Sequence, residues 1–392
     1  MRQLISVLIF CLLIISCKKS DTDELVYPEP LPTYFTQQGN IGNFDHSTIC
    51  SISNNLLFCG NTTNNITVLR TTKTGDLLQR KDIYAGYMSV AHAIAELPSG
   101  ELFICGTTAR NYNLAKVEIL LVKTTSSGDT IWTKTYGGAE DDYGDQIIAT
   151  TDGNLLIGGS SNSYSSDVFN DIQLTKINPN GDLIWSKTYS DPDQETLFHL
   201  LQLKKGGYLV SGTNEDNGNA RQAYILKTDA DGNKLWDKKI GPADGRWAFC
   251  TIELPTEQLL ICGMHTVNGY GQILLIKTDQ SGNTLWTKEY GLATITEEAY
   301  SLKANLDGSL TVIGSSYDVT TMNNDVFILK VDETGKELVF KTFGGAQSDK
   351  GINLLKDSND DNIITGTTFS YGNNASSGNI FLTRTNVDCV FQ

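Results

Sequence analysis

The fold of this chain is decided by the stretch D-I-Q-L-T-K-I-N-P-N-G-D-L-I-W-S-K-T-Y, which runs from Asp171 to Tyr189. Apolar and polar side chains alternate on both sides of a short turn that contains Gly181. Alternation with a period of two is typical of β-strands, and Gly and Asn between two such runs are typical of hairpins. The stretch therefore predicts two antiparallel strands joined by a tight turn.

This hairpin recurs along the whole chain. The basic residue that ends its first strand returns every 50 to 54 residues, as Arg70, Lys123, Lys176, Lys227, Lys277, Lys330 and Arg384. The turn glycine returns as Gly75, Gly128, Gly181, Gly232, Gly282 and Gly335. Four residues later stands Trp132, Trp185, Trp236 or Trp286, replaced in two copies by Gln79 and Val339. A register kept through seven copies indicates a repeat architecture.

Each repeat carries a second hairpin upstream, whose second strand ends in an apolar run and a glycine. We name the four strands a, b, c and d. In the third copy they are predicted at Asp145–Thr150, Asn154–Ser160, Asp171–Asn178 and Leu183–Tyr189. Four strands in about 50 residues, repeated radially, are typical of β-propellers, whose sheets leave only short edges. The sequence predicts an all-β, seven-bladed β-propeller of four-stranded antiparallel blades.

The turn pattern K-T-D-x-x-G-N-x-x-W resembles the tryptophan-docking repeat of pyrroloquinoline-quinone-type propellers and their bacterial lipoprotein relatives. It is clearest at Lys227–Trp236 and Lys277–Trp286. The resemblance covers nearly all of the chain after the leader and implies that each Trp packs between neighbouring blades. Quinone enzymes of that group usually have eight blades. With seven blades we expect no cofactor.

Residues 1–16 are expected to be a lipoprotein signal peptide. Arg2 precedes an apolar run from Leu4 to Ile15, which is too short for a comfortable membrane span. The sequence I-I-S-C ending at Cys17 resembles the bacterial lipobox, which implies that Cys17 is diacylated. The alternative is an ordinary signal peptide with an incidental cysteine. Lys18 after the cysteine resembles lipoproteins sent to the outer membrane, and the acids Asp21, Asp23 and Glu24 resemble a signal for the cell surface.

Residues 17–32 are expected to form a lipidated, flexible tether, and residues 33–392 a single propeller domain. The tether is polar and then rich in proline, so it should be extended. The last copy supplies strands a, b and c before the sequence ends at Gln392. Its outer strand is expected either from Tyr34–Gln37 or from Cys389–Gln392, which would close the ring without an open sheet edge.

The charge balance excludes some classes of partner. The formal net charge is −15, and it becomes −16 when residues 1–16, with Arg2, are removed. Nucleic-acid binding needs basic surface to neutralise phosphates, so a nucleic acid is not expected as a partner. Adhesion to anionic lipid through the protein surface is disfavoured for the same reason. We expect a monomer that the acyl group on Cys17 holds at the membrane.

Two cysteine pairs leave alternatives open. Cys50 and Cys59 are placed symmetrically about a predicted turn, as are Cys250 and Cys262, so cross-strand disulfides are possible in an exported protein. Buried thiols are favoured, since Cys105 occupies the same strand position without an obvious partner and disulfide geometry is demanding.

No metal site is expected. The sequence D-A-D-G-N at Asp229–Asn233 looks like the start of a calcium loop, but Ile240 stands where an EF-hand needs glutamate. His46 and His92 occupy equivalent positions early in strand a, and no carboxylate or cysteine joins them at the spacing of a metal site. No motif of a nucleophilic or metal-dependent hydrolase occurs.

The b–c and d–a loops are predicted on one face of the ring, and this loop face is the candidate binding surface. Rigid aromatic side chains on loops are typical of recognition surfaces. The alternative is that the loops are merely solvated and the acids structural. The candidate residues are Tyr112, Tyr164, Tyr270, Tyr317 and Tyr371 from the b–c loops, and Asp142, Glu195, Glu298, Asp349, Arg246 and Trp247 from the d–a side.

Three functions are compatible with these features. The first is a non-catalytic scaffold that binds a protein or a glycan. It is anchored at the bacterial outer membrane, with the cell surface favoured over the periplasmic face. The second is a periplasmic factor for outer-membrane assembly, which the chain resembles in its propeller and lipobox. The third and weakest is a glycan-active enzyme, for which Asp142 and Glu195 would have to form a carboxylate pair.

Overall fold

A computed structural model gives the arrangement of the repeats. It describes residues 49–52, 55–61, 65–86, 88–109, 116–164, 170–190, 193–216, 220–371 and 378–392. Every regular element in these ranges is a β-strand. No helix in the described part of the chain has the length and hydropathy that a bilayer span requires.

The first four blades are antiparallel sheets whose strands follow one another in chain order. Blade 1 contains β1 (Ile49–Ile52), β2 (Asn55–Asn61), β3 (Ile66–Thr72) and β4 (Leu77–Ile83). Blade 2 contains β5 (Val90–Glu96), β6 (Leu102–Ala109), β7 (Val117–Thr124) and β8 (Thr130–Tyr136). Blade 3 contains β9 (Asp142–Ala149), β10 (Leu155–Ser161), β11 (Asp171–Ile177) and β12 (Leu183–Tyr189). Blade 4 contains β13 (Gln194–Gln202), β14 (Tyr208–Glu215), β15 (Arg221–Thr228) and β16 (Lys234–Ile240).

The remaining three blades continue the pattern. Blade 5 contains β17 (Arg246–Glu253), β18 (Leu259–Val267), β19 (Tyr270–Thr278) and β20 (Thr284–Tyr290). Blade 6 contains β21 (Ile295–Ala304), β22 (Leu310–Asp318), β23 (Asn323–Val331) and β24 (Glu337–Phe343). Blade 7 contains β25 (Asp349–Lys356), β26 (Asn362–Thr368) and β27 (Asn379–Thr385), and an isolated bridge adds Phe391 beside β27.

The blades form a ring around their first strands, which contact one another from blade 2 to blade 7. Seven apolar cores fill the seven junctions between neighbouring blades. One of them joins Ile363 and Leu382 of blade 7 to Leu56 and Phe58 of blade 1, and so closes the ring. The prediction of a seven-bladed β-propeller is confirmed.

Strand position explains the burial pattern. All seven residues of β11 are buried, whereas in β12 three residues are exposed, three are partly covered and only Tyr189 is buried. Strands b and c lie between two neighbouring blades, so both of their faces are covered, as in sheets with two packed faces. Strand d forms the outer rim, and only its inward side meets the next blade.

A β-bulge in strand a explains the glycine within strand b of blades 2 to 7. In blade 3 the register shifts between Gly158 and Gly159, and β9 begins at Asp142, three residues before the predicted start. A Cβ placed at Gly159 would lie 1.8 Å from the carbonyl oxygen of Tyr143. Because no side chain fits at that distance, glycine is required where the bulged strand crosses. The equivalent glycines are Gly106, Gly212, Gly263, Gly314 and Gly366.

From blade 1 to blade 6, the described outer strands dock on the c–d turn of the following blade. The indole of Trp185 covers Gly232, where an added Cβ would be 2.7 Å from the ring. Tyr189 donates its hydroxyl hydrogen to the carbonyl of Gly232 at 2.7 Å, and Lys187 donates to Asn233 at 2.6 Å. Trp132, Trp236 and Trp286 contact Gly181, Gly282 and Gly335 in the same way. The expected packing of Trp between blades is therefore observed.

The C-terminal residues begin the outer strand of blade 7. The amide of Asn386 donates to Val390 and that of Cys389 donates to Asn386, the same backbone bonds that shape the other c–d turns. Cys389 has φ +60°, so it takes the place of the turn glycine. Phe391 pairs with Thr385. Cys389–Gln392 thus starts strand d, while the predicted contribution of Tyr34–Gln37 lies outside the described residues.

The registers of the two cysteine pairs differ from each other. Cys50 lies opposite Leu57, so the predicted juxtaposition of Cys50 and Cys59 is wrong by two residues. The β1–β2 turn begins earlier than the sequence symmetry suggested, because Ile52 already pairs with Asn55. Cys250 does lie directly opposite Cys262, as predicted. Among the described residues, Cys105, Cys250, Cys262 and Cys389 carry free thiols.

Candidate functional site

The predicted tyrosines and tryptophan occupy the loop face in different states of exposure. Tyr164 is 55% exposed, while Trp247, Tyr270 and Tyr317 are half-buried. Tyr371 is also half-buried and donates its hydroxyl hydrogen to the carbonyl of Gly344 at 3.0 Å. Tyr112 lies outside the described residues. The described members contribute partly covered aromatic surface rather than one continuous patch.

Asp142 shows what the acids of strand a do. Its carboxylate is fully buried and accepts hydrogen bonds from Ser161 Oγ at 2.5 Å, Ser163 Oγ at 2.7 Å and the amide of Gly138 at 2.7 Å. Ser163 belongs to the b–c loop and Gly138 to the d–a loop. The carboxylate therefore ties the two loops together, and burial without such partners would be costly.

The other acids follow the same plan. Glu195 is buried and accepts from Asn214 at 2.6 Å. Asp349 is buried and accepts from the amide of Gly345 and from Ser370 Oγ, both at 2.7 Å. Asp349 thus holds its loops in place, whereas Glu195 bonds to Asn214 within β14, and both present little surface to a ligand.

In blade 6 the buried position belongs to Glu297 instead of Glu298. Glu297 pairs with Ser316 across the sheet, as Asp142 pairs with Ser161 in blade 3. Glu298 is half-buried and accepts a hydrogen bond from the hydroxyl of Tyr300. Alignment of the copies on the strand-b glycine, with the bulge included, would have identified Glu297 from sequence.

Blade 5 departs from this plan. Arg246 occupies the position of the buried acids, and His265 lies opposite it. Arg246 Nε donates to Asp244 at 2.8 Å, His265 Nδ1 lies 2.8 Å from Glu289, and His265 Nε2 lies 3.2 Å from Asp244. Burial alone would raise the pKa of Asp244, but the hydrogen bond and charge of Arg246 outweigh it and lower that pKa. A compact four-residue charge network thus replaces a single carboxylate.

Trp247 lies beside this network. The guanidinium of Arg221, from blade 4, is 5.3 Å from the centre of its indole ring, which is a cation–π arrangement. Glu215 pairs with the same guanidinium at 2.6 Å. The blade 4–5 junction therefore combines an aromatic surface with groups of both charges. The structure thus brings the predicted residues Arg246 and Trp247 together with Arg221, which the sequence analysis did not single out.

Large apolar side chains are exposed at the tips of the loop face. Met88 and Met322 are 56% and 78% exposed, and both have positive φ, at 50° and 53°. A bulky residue in the left-handed region is strained, and such strain is concentrated at functional sites. Exposure of an apolar chain adds a further cost. The loop-tip set consists of Tyr84, Met88, Tyr164, Leu292, Val319 and Met322.

The innermost strands carry a second group of side chains at the bulge. Phe198, Phe249 and Tyr300 form an aromatic run on three consecutive blades, with ring centres 5.1 and 5.5 Å apart. In the first strands of blades 2 and 3, His92 Nδ1 lies 3.3 Å from Asp145. Sequence reasoning missed Asp145 because it comes from another repeat, and His46 lies outside the described residues.

The possible metal motifs have structural explanations. The carboxylate of Asp229 accepts hydrogen bonds from the backbone amides of Asp231 and Asn233 at 3.0 and 2.8 Å, as in an ordinary Asx turn. Gly232 in that turn has φ +75°. Within the described ranges, no group of three or more His, Cys, Asp or Glu side chains is arranged to hold a metal ion.

Comparison with known proteins extends to the fold. No protein-family model matches the chain, and no curated protein matches it. A protein of solved structure from Lactobacillus plantarum is similar with a TM-score of 0.58 at 12% identity, over 87% of this chain and 95% of that one. Sqt1 from Chaetomium thermophilum is similar with a TM-score of 0.52 at 11% identity, over 91% of this chain and 84% of that one. At such identities the likeness shows the fold alone.

Proposed function

We propose that this protein is a non-catalytic binding propeller that recognises an envelope partner through its loop face. The observation that carries the proposal is the loop-tip set, in particular Met88 and Met322 with exposed side chains on strained backbone. Methionine adapts to many shapes and is over-used at protein-binding surfaces. Between the two partner classes expected from sequence, the aliphatic character of the set favours a protein over a glycan.

The acids on this face support binding over catalysis. A general acid or base must reach the proton it transfers. Asp142 and Asp349 are buried and already accept hydrogen bonds from loop groups. Their role as loop anchors leaves a rigid surface for recognition.

The location belongs to the same proposal. A diacylated Cys17, followed by the tether of residues 17–32, would hold the ring at the bacterial outer membrane. We propose that the ring lies on the cell-surface side of the outer membrane. The alternative is a periplasmic assembly factor. Protease treatment of intact cells separates the two, because only a surface protein is lost before lysis.

The binding proposal is tested with a loop variant and a matched control. In the loop variant, Met322→Ser is combined with Val319→Ser. In the control, Leu235→Ser is combined with Leu285→Ser, which removes equally exposed apolar chains (57% and 50%) from the outer rim. Wild-type and variant proteins are immobilised and exposed to detergent-solubilised envelope proteins, and separately to a glycan array.

We expect the loop variant to lose the retained species and the rim variant to keep it. If the loop variant and the rim variant both still bind one class of glycan, the binding site would instead be assigned to Trp247 and its neighbours. Equal retention by all three proteins would contradict recognition through the loop tips.

A further inference from the structure

We propose that Cys250 and Cys262 are a redox-active dithiol that closes into a cross-strand disulfide when blade 5 meets a low-molecular-weight disulfide. The inference concerns the core of the blade 5–6 junction and is independent of the binding proposal. It assigns a covalent modification site to two residues whose thiols are free in this structure.

The strands place the two thiols side by side. Cys250 in β17 and Cys262 in β18 are direct partners across the antiparallel pair. Both residues are buried, and the thiol of Cys262 donates to the carbonyl of Ala299 in blade 6 at 3.3 Å. Opposed side chains on antiparallel strands have Cβ atoms about 4.5–5.5 Å apart, and a disulfide needs about 3.5–4.5 Å. Closure therefore requires only a small approach of the strands.

Packing does not explain why two cysteines occupy this position. The propeller repeats the same pair of sites five more times among the described blades, and no other copy has two thiols. Alanine, amide, imidazole and hydroxyl side chains are all accepted there. The equivalent pairs are Ala93 with Cys105, Gln146 with Gly158, His199 with Ser211, Ser301 with Ile313, and Asn353 with Thr365.

The neighbouring blade supplies a group that activates one thiol. The pKa of Cys250 is lowered by its hydrogen bond with Cys262 and, against its burial, by the charge and hydrogen bond of His199. The pKa of Cys262 is instead raised by burial. His199 is half-buried and lies against the strand of Cys250, where its Nδ1 accepts a hydrogen bond from the amide of Thr251 at 3.5 Å. Since the thiolate is the reactive form, Cys250 is the attacking residue.

The reaction balances with a disulfide of the glutathione class as oxidant. Cys250 gives its proton to His199, the thiolate attacks one sulfur of the oxidant, and the small thiolate that leaves takes the proton from His199. Cys262 then attacks the Cys250 sulfur of the mixed disulfide, and its proton passes to the second small thiolate that leaves. Two protein thiols lose two hydrogens in total, and one external disulfide becomes two thiols.

The full chain is purified reduced and incubated with mixtures of reduced and oxidised glutathione. Peptide mapping without reduction should then find Cys250 linked to Cys262, with a mass two hydrogens lower. The thermal midpoint of the oxidised protein should rise by several degrees. Cys105, which faces Ala93 across its strand pair, serves as the internal control and should stay alkylatable after denaturation.

Two variants separate the chemistry from folding. Cys250→Ala copies the residue of blade 2, so it should fold and lose the rise in thermal midpoint. His199→Gln, which places the amide of blade 3 in blade 4, should keep the final disulfide but form it roughly tenfold more slowly. The proposal is overturned if both thiols remain alkylatable after oxidation. An unchanged rate in His199→Gln would overturn the activating role.

Discussion

Gly232 meets two separate structural demands at the scale of a single residue. Its φ is +75°, and the indole of Trp185 lies where a side chain would begin. Gly153 has nearly the same backbone, with φ +79°, but nothing lies within 4 Å of a Cβ placed there. The two glycines therefore separate backbone strain from loss of the docking contact.

We expect Gly153→Ala to cost about 1 kcal/mol of unfolding free energy through positive φ alone. Gly232→Ala should cost about 1–3 kcal/mol more, because the methyl group displaces Trp185. Urea denaturation followed by tryptophan fluorescence measures both. If the two variants lost the same unfolding free energy, the contact between Trp185 and Gly232 would not contribute to stability.

A second residue gives a pH dependence. The pKa of Asp325 is raised by burial and, further, by the charges of Asp349 and Asp318. The folded protein thus keeps this proton to higher pH than the unfolded chain does. Stability contributed by this group is therefore lost as pH rises above the ordinary carboxyl pKa. We expect Asp325→Asn to flatten that decline in thermal midpoint, whereas Glu333→Gln at an exposed turn should leave it unchanged. Parallel profiles for wild type and Asp325→Asn would exclude the explanation.

At the scale of an element, the seventh outer strand is the one built differently. Its turn uses Cys389 in place of glycine, and Phe391 packs edge-on against Phe343 of blade 6 with ring centres 4.9 Å apart. Lys341 adds a hydrogen bond to the carbonyl of Cys389 at 3.2 Å. These contacts repeat, with other residues, the docking that the other junctions obtain from turn glycines.

Phe391→Ala should therefore lower the unfolding free energy by about 3 kcal/mol, since Phe391 is buried in this contact. Its neighbour Val390 is 46% exposed, and Val390→Ala should cost under about 0.5 kcal/mol. Chemical denaturation of the two variants measures the difference. A small effect from Phe391→Ala would mean that the tail does not hold blade 7.

At the scale of the whole molecule, the closing strand predicted from Tyr34–Gln37 remains a prediction. Two chains that begin at residue 33 and at residue 39 test it. Loss of the segment should expose the outer edge of β27, lower the thermal midpoint and promote association, because open strand edges pair with other chains. Size-exclusion chromatography and thermal unfolding are the measurements. Identical behaviour of the two chains would assign closure to Cys389–Gln392 alone.

The sequence was sufficient for the repeat architecture and much less so for the site. Turn glycines and period-two runs are local signals, so the boundaries of β12 at Leu183 and Tyr189 were predicted to the residue. The bulge was not predicted, and it moved the start of β9 and the buried acid of blade 6. The network of Arg246 with Glu289 could not be predicted, because it depends on contacts between strands a and d. The exposure of Met322 could not be predicted either, because it depends on the tertiary packing of its loop against the folded ring.

The docking of each outer strand on the next blade gives the repeat a direction. In the described part of the chain, the outer strands of blades 1 to 6 each carry a clasp, formed by residues such as Trp185 and Lys187, which docks on a socket at the c–d turn of the next blade. A gene segment that encodes both can be duplicated in tandem, and each new copy then brings its own contacts to both neighbours. Such a ring can gain or exchange whole units, and individual units can then diverge, as blade 5 has, while the clasps remain.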